Sequence, residues 1–150
     1  MALLDIINKN LIKVPLSSLD KNGIIEELVS LYADEKGISD DKKMEIISKV
    51  EEREMLGSTA MENGIAIPHA KIDGIDSVSV VIGISRLPVQ FGAEDGKGTS
   101  IFFLVLASPD NPSEHIQILS SIAKACSSTL FLRMLQSSKT KEDVYNLFFE

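Results

Sequence analysis

The sequence predicts an α/β domain built on a mixed central sheet covered by helices. Three observations carry this. Apolar residues recur at helical spacing through the first third, and two runs rich in β-branched and aromatic residues occupy the middle. Helical spacing returns after Asn111. A chain of 150 residues with 44% hydrophobic and 25% charged residues matches one domain of ordinary composition, spanning 1–150. At this length the core needs neither a metal nor a disulfide.

In chain order, Ile24, Leu28, Leu31 and Tyr32 mark a helix over Asn22 to Glu35, and Gly37 supplies its stop. Ser39 and Asp40 are caps for a second helix, with Met44, Ile47 and Val50 as its apolar stripe and an end near Glu52. From Arg53 to Ile72 the pattern breaks into Gly57, Ser58, Thr59, Asn63, Gly64 and Pro68, a long non-helical connection of the kind that carries function. Strands follow at Val78 to Ile84 and Ile101 to Leu106, with a further short one at Val89 to Phe91. The Asp95-Gly96 pair between them marks a hairpin turn. Asn111-Pro112-Ser113-Glu114 starts a helix, with Asn as cap, Pro at the first helical position and Glu reaching back to the cap amide. Ile116, Leu119, Ile122 and Ala123 form its stripe. A short helix covers Leu130 to Leu135, and Thr140 caps a last one through Val144, Leu147 and Phe148.

Composition excludes whole classes of function. A net charge of −7, no tryptophan and 5% aromatics argue against nucleic acid, which needs a basic or stacking surface. The longest apolar run, Ile101 to Ala107, is far below the ~20 residues that span a bilayer, so a membrane enters only through a partner. The start lacks the basic region of a secretory signal, and the single Cys126 forms no internal disulfide. Both point to a reducing cytoplasm. Cys126 lies in an apolar helical pattern and reads as a buried structural thiol rather than a nucleophile.

Two histidines stand where chemistry is possible. His69 follows Pro68, whose fixed φ stiffens the chain, and a neutral imidazole is a nucleophile at neutral pH. His115 falls in the first turn of a helix, where outward amides and the macrodipole suit a phosphate and disfavour imidazolium. There a neutral ring donates one N–H to a phosphoryl oxygen while its other nitrogen accepts from the helix. Arg53 offers a planar fork matched to phosphate oxygens. Each has a plainer reading: a solvated or core histidine, and for Arg53 a surface ion pair within Glu51-Glu52-Arg53-Glu54. Ser58 and Thr59 serve either as support at a phosphate site or as loop residues. Two distant histidines without a cysteine pair form no metal set, and no cofactor is implied. No serine triad, Arg-His-Gly element or carboxylate pair supports a hydrolase.

The string Arg53-Glu-Met-Leu-Gly-Ser-Thr59, then Gly64-Ile-Ala-Ile-Pro-His-Ala70, then Ser113-Glu-His115 after a strand, resembles the enzyme IIA domains of the bacterial phosphoenolpyruvate-dependent phosphotransferase system, fructose/mannitol/nitrogen-regulatory type. The resemblance covers essentially the whole chain and implies a three-layer α/β/α fold with a sheet both parallel and antiparallel. It implies a phosphocarrier in which His69 takes phosphate from the phosphohistidine of HPr or its nitrogen-branch counterpart, with Arg53 and His115 lining the site. Where the family has Thr-Gly-(Ile or Met)-Gly-Asn-Gly, this chain reads Thr59-Ala60-Met61-Glu62-Asn63-Gly64. Two side chains thus replace two glycines, and a carboxylate is added near an anion site. Met61 and Ile65 are expected in a partly apolar docking surface around His69. The acceptor is either an enzyme IIB that serves sugar uptake or a regulatory target whose contacts respond to the added charge. The stand-alone length favours the nitrogen-regulatory branch.

Overall fold

A computed structural model describes residues 2–149. Strand β1 (Ile12–Leu16) precedes helices α1 (Lys21–Lys36) and α2 (Asp40–Leu56). Short strands β2 (Ile65–Ala66) and β3 (His69–Lys71) lead into β4 (Ser79–Val89) and β5 (Thr99–Ala107), and helices α3 (Pro112–Ala125), α4 (Thr129–Ser137) and α5 (Lys141–Phe149) complete the chain. The sheet runs β1-β4-β5-β2, with β3 also on β5. β4 and β5 are antiparallel, with Ser79 opposite Leu106 and Val89 opposite Thr99, whereas β1 on β4 and both β2 and β3 on β5 are parallel. The sheet is therefore mixed.

Alternate residues of the central strands enter two cores. Val81, Phe102, Leu104 and Leu106 pack with Leu28, Val29, Ile46 and Val50 of α1 and α2. Val80, Ile82, Phe103 and Val105 pack with Ile118, Ile122, Leu135 and Val144 of α3, α4 and α5. Because helices cover both faces, β5 and the stretch of β4 from Val80 to Ile84 are apolar nearly throughout instead of alternating, and the architecture is three-layer α/β/α.

The helix ends follow local chemistry. Ser39, Asn111 and Ser128 accept amide hydrogen bonds as caps, and Gly37 closes α1 in the left-handed conformation at φ 66°. Thr140 Oγ1 accepts from the Asp143 amide at 3.1 Å, which caps α5 as expected.

Several elements differ from the sequence reading. β1 was not foreseen: Pro15 interrupts its apolar pattern, which is tolerated because β1 is an edge strand. Helix α2 runs on to Leu56, since Glu, Arg, Met and Leu all favour helix until Gly57, and so Arg53 lies inside its last turn. The segment at Val89 is the end of β4 itself. Met44 is 60% exposed, and the stripe of α2 is Ile46, Ile47 and Val50. On α3 the stripe is His115, Ile118 and Ile122, while Ile116 is 64% exposed. Glu114 does not return to its cap: its carboxylate accepts from the Val78 amide at 3.2 Å, pinning the start of α3 to the sheet. No single helix among the described residues is long and apolar enough to cross a membrane.

Candidate functional site

The second edge of the sheet is made by two short strands with a break between them. β2 and β3 both pair with β5, and the break at Ile67-Pro68 is bridged by the Val105 amide donating to the Pro68 carbonyl at 2.9 Å. Proline is tolerated there because an edge residue needs no outward amide. Immediately after it, His69 opens β3 opposite Val105 and is half-buried.

His69 Nδ1 lies 2.9 Å from the Ile67 carbonyl oxygen. A carbonyl only accepts, so Nδ1 carries a proton, and in the neutral ring Nε2 keeps its lone pair. The local turn thereby selects the tautomer whose free nitrogen is the outer one.

His115 comes from the opposite layer. Its ring meets that of His69 edge-on, with centroids 5.4 Å apart and planes at 75°. It is buried, and its Nε2 has no hydrogen-bond partner among the described residues. Burial first, then electrostatic repulsion from His69 when it is protonated and from Lys71, hold its pKa below the ordinary 6.5, which favours the neutral ring. The expected hydrogen bond from the helix to its second nitrogen is also not found among the described residues, and the His115 amide is already bonded to the Asn111 carbonyl.

Both rings open onto a cleft of about 500 Å³ between α2 and the β3 edge, lined also by Lys49, Glu52, Arg53, Leu56, Ala70 and Lys71. Arg53 Nη1 donates to the Gly57 carbonyl at 2.9 Å and forms no ion pair among the described residues, so the surface-pairing alternative does not apply. Three cations and two imidazoles facing one acidic side chain make a local anion site on an acidic protein. Lys49 and Lys71 were not singled out in the sequence. Lys49 precedes Arg53 by one helical turn and Lys71 is two residues beyond His69 on the same side of β3, a spacing that identifies both only once His69 and Arg53 are paired.

Ser58 and Thr59 do not line this cleft. Ser58 Oγ donates to the Phe91 carbonyl at 2.6 Å, and the Thr59 amide and hydroxyl both bond to the Glu54 carboxylate. They are loop residues. Ile65 is fully buried and offers no surface, whereas Met61, Met55 and Leu56 are exposed, the latter two at 86%. Neither Ala60 nor Glu62 has positive φ, so replacing glycine at these places strains nothing, and Glu62 is exposed outside the cleft. Gly64 alone in this loop needs the left-handed region, at φ 83°. No group of three or more potential metal ligands occurs among the described residues.

Residues 5–150 match the family described as phosphoenolpyruvate-dependent sugar phosphotransferase system, EIIA 2. A nitrogen regulatory protein of Pseudomonas aeruginosa is 32% identical over 93% of this chain and 88% of its own length. A PTS system fructose-specific EIIA component of Haloferax volcanii is 30% identical over 87% of this chain and 83% of its own. Among solved structures, nitrogen regulatory protein IIA-Ntr from Neisseria meningitidis superposes with a TM-score of 0.87 at 28% identity, covering 97% of each chain.

Proposed function

Because the chain belongs to the EIIA type-2 family of the phosphoenolpyruvate-dependent sugar phosphotransferase system, we propose that it is a phosphocarrier that takes phosphate from an HPr-like donor onto His69. The observation that supports this best is the contact of His69 Nδ1 with the Ile67 carbonyl, which leaves Nε2 as the free nitrogen of a ring lining one cleft with Arg53 and His115.

In this reading Nε2 of His69 attacks the phosphorus in line. The new N–P bond forms as the donor's N–P bond breaks, its electron pair staying on the donor nitrogen. The Nδ1 proton remains on the Ile67 carbonyl side and offsets part of the charge. Arg53 and His115 donate to phosphoryl oxygens as charge spreads over them, and docking of the donor excludes water. The exposed Leu56 on the cleft wall provides apolar surface for a transient contact. The test is incubation with phosphoenolpyruvate, enzyme I and HPr, read by intact mass. One acid-labile phosphate that disappears in His69→Ala is expected; labelling that survives the substitution places the phosphate elsewhere.

For the fate of the phosphate we favour the nitrogen-regulatory branch, supported by the likeness to the Pseudomonas and Neisseria proteins. There the added charge of about −1.5 to −2 changes contacts with a regulatory target. The Haloferax relative favours the second reading, transfer to an enzyme IIB for sugar uptake. Fast transfer from the labelled protein to an IIB of the same cell decides for the second.

A further inference from the structure

Away from the cleft, the most buried acidic side chain among the described residues is Glu54, which is 3% exposed and whose carboxylate lies 2.8 Å from Lys21 Nζ of α1. An ion in such a place needs several partners to offset its lost hydration. Glu54 has them, since the Thr59 amide at 3.2 Å and the Thr59 hydroxyl both donate to it. Lys21 in turn donates to the Phe91 carbonyl at 3.2 Å, the same oxygen that accepts from Ser58. Three stretches of chain, at 21, 54–59 and 91, meet on one charge pair.

What this junction holds is informative. On one side of Thr59, Gly57 presents the carbonyl that fixes the Arg53 guanidinium. On the other side, the Thr59 carbonyl accepts from the Ile67 amide at 3.4 Å, and Ile67 presents the carbonyl that selects the His69 tautomer. Ala60 bridges Ala66 beside it. Both orienting carbonyls therefore belong to peptide segments anchored at Thr59, and Thr59 is anchored by Glu54.

We propose that Glu54, paired with Lys21, is a positioning residue that sets Arg53 and His69 together by holding Thr59. The proposal rests on the phosphocarrier reading for the consequence of that positioning, but not for the positioning itself. Glu54 touches no reacting atom. Its effect is on geometry, where displacements of about 1 Å cost up to about a hundredfold in rate.

The test has two arms on Glu54→Gln and on the gentler Thr59→Val, with Lys21→Arg as the conservative control. In unphosphorylated protein, long-range proton–nitrogen NMR correlations report the His69 tautomer. Wild type and Lys21→Arg should show Nδ1–H, and the two variants a mixture with Nε2–H. In phosphoryl uptake the variants should lose about tenfold in kcat, with the KM for the phosphorylated donor within about twofold of wild type. Should Glu54→Gln fail to fold, Thr59→Val decides alone. An unchanged tautomer in a folded variant overturns the proposal. A wild type that never takes up phosphate defeats the phosphocarrier reading instead, and the tautomer arm still decides the positioning.

Discussion

His115 stands edge-on to His69 with ring centroids 5.4 Å apart, and it is the more buried of the two. Burial penalises charge on His115, and repulsion between two imidazolium ions at that separation adds to the penalty. Its pKa is therefore lower in the folded protein than the ordinary 6.5. The unfolded chain binds the proton more readily, so stability falls as pH drops below about 6.5, until His115 protonates in the fold as well. Urea unfolding between pH 7 and pH 5 should show this loss in wild type and a flatter profile in His115→Asn. An equally steep profile in the variant would assign the loss to another group.

Arg53 is bound only through the Gly57 carbonyl among the described residues, and it faces the cleft. A residue with so few structural partners contributes little to stability, within about 0.5 kcal/mol. On the phosphocarrier reading proposed above, it supplies the transition state with a forked donor that lysine does not reproduce. Arg53→Lys should keep the melting temperature and lower phosphoryl uptake about a hundredfold, comparable to loss of one charge-stabilising donor. Equal losses of stability and rate would return Arg53 to a structural role.

Much of this was legible in the sequence, for reasons that particular residues make plain. Gly37, Ser39, Asn111 and Pro112 act through local backbone chemistry, so the ends they mark fell in place. Runs such as Ile101 to Leu106 owe their composition to burial on both faces and read as strands. Facing was less legible. Counting Ile116 into the α3 stripe follows from its hydropathy, but the core-facing position one residue earlier belongs to His115, a polar residue that pattern rules discount. Met44 misleads on α2 in the same way. The ion pair of Glu54 and the hydrogen bond of Glu114 were illegible because their partners, Lys21 and Val78, are 33 and 36 residues away along the chain. Such pairings are set by tertiary packing alone.

Glu27 is a test of the fold at a distance from the cleft. Burial opposes its charge, but Lys13 at 2.8 Å and the amides of Ser17 and Ser18 outweigh that and hold its pKa at about 2, below the ordinary 4.5. A carboxylate depressed in this way contributes stability above about pH 4.5, and the contribution is lost as pH falls toward 2. Because Lys13 is 44% exposed, solvent screening leaves about 1–2 kcal/mol at neutral pH. Glu27→Gln should lower stability by that amount at pH 7 and match wild type near pH 2. A constant difference across the range would mean that packing of the side chain, not its charge, is responsible.

Cys126 closes α3 and is 1% exposed within the core shared by α3, α4 and α5. Burial pushes its thiol up to about 12, so the thiolate that attacks disulfides and alkylating reagents is scarce at neutral pH. Modification requires the chain to open. Its carbonyl also accepts from the Asn63 side chain at 3.2 Å, tying the loop before His69 to this helix end, so opening of α3 exposes the thiol and releases the loop together. An aromatic disulfide reagent should react at least a hundredfold more slowly with native protein than with protein in urea, and Asn63→Ala should narrow that ratio. Rapid stoichiometric labelling of native protein would show that this end of α3 opens far more often than its burial implies.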